Sequence, residues 1–131
     1  MSKKSGNRIV IEDCMGVKDS ENVLILTDDK KQDIGMSLYN EAKNLCKEAV
    51  LMVMEPRKVS GEEPPEVVAE AMKNFDVIIC PTSTSITHTN AKINAIKAGA
   101  RLASMPGITK EMFEKGAITA DYGEVEALTL K

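Results

Sequence analysis

Apolar and polar positions fall in alternating blocks along this chain. The run NVLIL at 22–26 is continuously apolar, as in a strand covered on both faces. VLMVM at 50–54 and DVIIC at 76–80 repeat the pattern, and RLASM at 101–105 is a weaker fourth strand. Between these runs the spacing becomes helical. DIGMSLYNEAKNLCKEA at 33–49 places Ile34, Leu38, Ala42 and Leu45 on one face, with Cys46 beside them. PPEVVAEAMKNF at 64–75 opens on prolines suited to a first helical turn and groups Val67, Ala71 and Met72. TNAKINAIKAGA at 89–100 ends at Gly99. Upstream, NRIVIEDCMGV reads as a short amphipathic helix stopped by Gly16. Downstream, a helix at 109–117 has Thr109 as its N-cap, and another begins at Asp121. The most loop-like segment is 55–66, where Gly61 and three prolines break both periods.

Buried strands alternating with helices imply an α/β fold with a mainly parallel sheet of at least four strands. Right-handed crossovers then give a three-layer, Rossmann-like sandwich, for which the strand order 2-1-3-4 is favoured. The 131 residues suffice for one domain with a real core and hardly for two, so 1–131 is read as a single domain.

Composition narrows the partners. The net charge of −3, with both signs interspersed, offers no basic surplus for a phosphate backbone, and an aromatic content of 3% offers few stacking platforms. Nucleic acid is therefore not expected. No apolar run approaches the roughly 20 residues a membrane helix needs. The N-terminal stretch shows neither an apolar signal core nor a cleavage site, so a cytoplasmic protein without a membrane partner is expected. Cys14, Cys46 and Cys80 are far apart and set in apolar sequence, which fits reduced, packed thiols rather than a zinc site. Cys80, at a strand end, is the thiol best placed to meet a ligand.

In parallel sheets ligands bind beyond the carboxyl ends of the strands. The loops at 27–33, 54–63, 81–89 and 105–109 should share that edge. The stretch CPTSTSITHT at 80–89 carries six hydroxyl residues and the only histidine in the chain. Thr82, Ser83, Thr84, Ser85, Thr87, His88 and Thr89, with Thr27 and Asp28 of the first loop, are the candidate ligand-binding residues. Two roles are open to each hydroxyl. It can cap a helix and satisfy loop backbone, or it can join a helix N-terminus in holding an anion. Thr87 or Thr89 suits the cap of the helix that follows. A single histidine cannot build a His-rich metal site. Asp28 and Asp29 stand where an acidic residue can meet a ribose or a metal, but no GxGxxG accompanies them. Capping of the next helix is their other role, with Asp33 the more direct cap. EEPPE at 62–66 reads as a solvated loop with helix-start charges. No catalytic triad order, HExxH, P-loop or EF-hand spacing occurs.

The blocks MEPRKVSGEEPP, PTSTSITHT and AGARLASMPGIT, with VLILTDDKKQDIGMSLYNEAK before them and MFEKGAITADYGEV after, resemble the N-terminal domain of the thermophilic metallo-aminopeptidase family. The resemblance runs from about Val23 to about Tyr122. It implies relation to two-metal exopeptidases of the leucyl aminopeptidase, aminopeptidase T and aminopeptidase S type. Their two divalent metals, of the zinc or cobalt class, lie in a C-terminal catalytic domain. No catalytic or metal residue transfers to this chain, which is expected to be inactive alone, with no cofactor of its own. The catalytic half would be missing here or separately encoded. The final EVEALTLK carries Val125, Leu128 and Leu130 on an apolar stripe, which favours cover by downstream chain or a homo-oligomer. Two function classes stand: a non-catalytic scaffold domain of such a peptidase, or a stand-alone module binding a small or anionic ligand at its strand ends.

Overall fold

The computed structural model describes Ile11 and residues 15–109. The helices expected at 109–117 and from Asp121, Cys14, most of the helix expected at 7–17, and the stripe at Val125, Leu128 and Leu130 lie outside the described residues.

Four parallel strands form one sheet: β1 (Asn22–Asp28), β2 (Glu48–Met54), β3 (Val77–Cys80) and β4 (Arg101–Ser104), in the order β2-β1-β3-β4. That is the order favoured from the sequence. β1 and β3 are central and almost wholly buried, which explains their unbroken apolar runs. Side chains alternate across the sheet. Val23, Ile25, Val77, Ile79 and Ala103 face one core with Ile34, Leu38 and Ala42 of α1 (Gln32–Ala42). Leu24, Leu26, Ile78, Cys80 and Leu102 face the other, with Val68 and Met72 of α2 (Glu66–Met72) and Ala91 and Ala95 of α3 (Asn90–Lys97). The α/β sandwich therefore has a core on each side of its sheet.

Three local expectations are corrected. α1 ends at Ala42 rather than continuing to 49, and β2 starts at Glu48 rather than Val50. Helical spacing persists through Leu45 and Cys46, but β2 must pair Glu48–Met54 residue by residue with Asn22–Asp28. The chain leaves the helix early to reach that register, and tertiary pairing overrides local propensity. α2 begins at Glu66, because Pro65 is extended (φ −54°, ψ 148°) and precedes the helix instead of entering its first turn. The core-facing pair on α2 is Val68 and Met72, whereas Val67 is 77% exposed.

The amino end of the sheet is closed by one ion pair. Arg101 Nη1 and Nη2 donate to Glu21 Oε2 and Oε1 at 2.8 and 2.9 Å, and Nη2 also donates to the Met15 carbonyl at 2.9 Å. Hydrogen bonds from Arg101 hold the Glu21 carboxyl below the ordinary glutamate range, against the opposing effect of burial. A depressed carboxyl stabilises the fold above its unfolded pKa, and that contribution is lost as pH falls through the folded value. Acid should therefore destabilise the native chain partly through Glu21. Urea midpoints measured across the acid range should fall less steeply in Glu21→Gln; equal slopes would remove Glu21 from the acid response.

Candidate functional site

The loops after the four strands do meet at the carboxyl edge, and they are locked to one another. Asp28, the last residue of β1, is fully buried. Its Oδ1 accepts from the Lys30 and Lys31 N–H groups at 3.1 Å each. Its Oδ2 accepts from the Ser83 N–H at 2.8 Å and the Ser83 hydroxyl at 2.7 Å. One carboxylate thus turns the chain from β1 into α1 and pins the loop after β3. Capping by Asp33 is corrected: it lies in the first turn of α1, whose N-cap is Lys31 with no side-chain cap bond.

Thr27 is also buried, and its hydroxyl donates to the Pro81 carbonyl at 2.7 Å. α1 crosses here so closely that a Cβ on Gly35 would lie 2.7 Å from Thr27 Cγ2. The buried Thr82 donates its hydroxyl to the Thr84 carbonyl, while its own carbonyl accepts from Gly107 N–H at 2.8 Å. Thr84 enters the network through that carbonyl. Ser85 Oγ donates to Thr87 Oγ1 at 2.8 Å and accepts from the Thr87 N–H at 3.0 Å. The Gly61 N–H donates to the Ser85 carbonyl at 3.0 Å, joining the loop after β2 to the loop after β3. Gly61 has φ +89°, a conformation suited to glycine.

The N-terminus of α3 is occupied from within the chain. Thr89 is its N-cap, accepting from the Lys92 N–H at 3.2 Å and donating to the Ile86 carbonyl at 2.7 Å. The two preceding N–H groups, of Asn90 and Ala91, donate to Glu63 Oε2 and Oε1 at 2.6 and 3.1 Å. The Thr89 N–H itself donates to the Ile86 carbonyl at 3.1 Å. All four unpaired donors of the first turn are thereby used, and the anion at this helix dipole is a glutamate of the protein. EEPPE is accordingly more than a solvated loop. Glu63 lies 27 residues before its partner and carries no local capping signal, so only the folded arrangement reveals it. Glu63→Gln keeps one acceptor but loses the charge, and Glu63→Ala loses both. We expect Glu63→Ala to lower stability by about 1 kcal/mol and Glu63→Gln by less, read from urea midpoints. An unchanged alanine variant would show that solvent replaces the carboxylate freely.

His88 is exposed and makes no hydrogen bond with the described residues. Cys80 is fully buried in the core, where desolvation pushes its thiol far up; the strand-end thiol is packing, not a ligand contact. Burial also raises the half-buried Cys46 thiol. Ser104, in register with Cys80 at the end of β4, carries no sequence signal beyond its place in the apolar run RLASM. Among the described residues its buried Oγ has no hydrogen-bond partner, unlike the hydroxyls of Thr27, Thr82 and Thr89.

No family model, curated protein sequence or solved structure matches the chain. Among the described residues no three His, Cys, Asp or Glu side chains gather into a group able to hold a metal ion. They do not fit a two-metal centre. No described helix is long and apolar enough to cross a membrane. Chemically, the edge is a hydrogen-bonded surface in which most polar groups already serve the fold.

Proposed function

We propose that the chain is the non-catalytic N-terminal α/β domain of a leucyl aminopeptidase-like metallopeptidase. It would scaffold the metal-bearing domain, border its substrate cleft and act in the cytoplasm. One observation carries the reading. The three sequence blocks that bear the resemblance are brought to one edge and bonded together there. The Gly61 N–H donates to the Ser85 carbonyl at 3.0 Å, joining the first block to the second, and the Gly107 N–H donates to the Thr82 carbonyl at 2.8 Å, joining the second to the third. A preformed, internally bonded edge suits a surface that supports another domain.

An anion-binding module fits less well, because an anion at α3 would have to displace Glu63 from the Asn90 and Ala91 N–H groups.

Activating water at neutral pH requires a metal held by fixed ligands. The purified chain should therefore not hydrolyse leucine p-nitroanilide with zinc or cobalt present. Chelator-sensitive turnover would overturn the reading. A direct test supplies the chain in trans to a family catalytic domain expressed without its own N-terminal domain. Co-purification and a raised melting temperature of the catalytic domain are expected. Failure of the two to associate counts against the scaffold role.

A further inference from the structure

β2 is an edge strand, and its outer side pairs with no other strand among the described residues. Edge strands in soluble proteins are usually blunted by a charge, a proline or a bulge. β2 has none of these between Ala49 and Met54, a run of six apolar residues. Val53 is 44% exposed, and Ala49, Val50, Leu51 and Met52 are only partly buried.

The ends of the strand carry the specific signal. Lys47 stands just before β2 and Glu55 just after it, both exposed. When two copies of β2 pair antiparallel about a two-fold axis at Leu51, Lys47 of each copy lies opposite Glu55 of the other. The same register sets Leu51 against its own copy, Ala49 against Val53, and Val50 against Met52. Ala49 and Leu51 belong to the α1 side of the sheet, and Val50 and Met52 to the other side. Each pair therefore falls on one face, as antiparallel pairing requires. Moving the axis to Met52 would place Lys47 opposite Arg57, a like-charge pair. Moving it to Val50 would place Lys47 opposite the apolar Val53, whereas Glu48 faces a methionine in both registers, Met52 there and Met54 in the Leu51 register. Charge complementarity thus selects one register.

We infer that the chain forms a two-fold homodimer through antiparallel β2–β2 pairing centred on Leu51, joining two four-stranded sheets into one continuous sheet. The occupant of the edge is a second copy of the chain, because the strand with its flanking charges is complementary to itself.

Sedimentation velocity on the full chain, from micromolar to millimolar concentration, should show a dimer. Lys47→Glu and Glu55→Lys each replace two symmetry-related attractions by repulsions. Each should weaken the dimer about tenfold, since exposed pairs contribute up to about 1 kcal/mol apiece. The double variant Lys47→Glu/Glu55→Lys should restore it. Both positions are exposed, and circular dichroism confirms that each variant is folded. In Leu51→Cys, mild oxidation should link the two copies at the axis. A monomer at millimolar concentration overturns the inference. So does a dimer indifferent to either single reversal, or one that the double reversal does not rescue.

Discussion

Asp28→Ala should destabilise the domain by about 3 kcal/mol, the largest loss expected of any single polar change at the carboxyl edge. The carboxylate is fully buried and accepts four hydrogen bonds. Alanine leaves the Lys30 and Ser83 N–H groups and the Ser83 hydroxyl without their acceptor, while the Lys31 N–H keeps only the Asp28 carbonyl at 3.0 Å. Leaving a buried donor unpaired costs about 1–3 kcal/mol, and bonds to charged groups lie at the upper end. Water reaching the partly buried donors offsets some of that. Asp28→Asn keeps the shape but turns one oxygen into an amide donor. The amide can serve either the Lys30–Lys31 side or the Ser83 side, and it faces donors on the other. We expect a loss of about 2 kcal/mol for asparagine. Urea denaturation followed by circular dichroism measures both. If asparagine equals wild type, the Ser83 link is not holding the two loops together.

Gly35→Ala should also destabilise, by about 2 kcal/mol, against the helix-propensity trend. In an exposed helix interior, alanine in place of glycine stabilises by about 1 kcal/mol. Here the added Cβ would lie 2.7 Å from Thr27 Cγ2 and 2.8 Å from Thr27 Cβ. Thr27 cannot readily turn aside, because it is buried and its hydroxyl is bonded to the Pro81 carbonyl. α1 must therefore shift away from β1 and loosen the packing of Ile34 and Leu38. Thermal melts of Gly35→Ala should show a lower midpoint. A raised midpoint would mean that α1 and β1 approach less closely than described.

These two sites belong to a wider set of residues that couple the strand-end loops. The residues that join the loops sit within or beside the segments TDDKKQDIG, MEPRKVSGEE and PTSTSITHT. Asp28, Gly35, Gly61, Glu63 and Ser83 each hold one segment against another or against the next element. Such positions couple distant parts of the chain, so a change at one of them propagates to its partner. The dimer inferred at β2 uses a different side of the sheet from this edge.

What the sequence determined by itself is the architecture. Apolar runs at 23–26 and 77–80, too short for a helix, fit strands with both faces covered, and alternation with amphipathic segments favours a parallel sheet. A threonine cap at Thr87 or Thr89 was likewise legible, and the structure places it at Thr89. These features rest on spacing along the chain, which is a local property. Tertiary structure decided where α1 stops, because the register of β2 on β1 draws residues 43–47 out of the helix. It turned Val68 rather than Val67 toward the sheet. It also chose the partners of the two structural carboxylates. Asp28 meets Ser83 across 55 positions and Glu63 meets Asn90 across 27. No periodicity encodes such pairs: a side chain at a strand end finds whatever the crossover topology carries to the same edge, and that neighbour exists only once the sheet has formed.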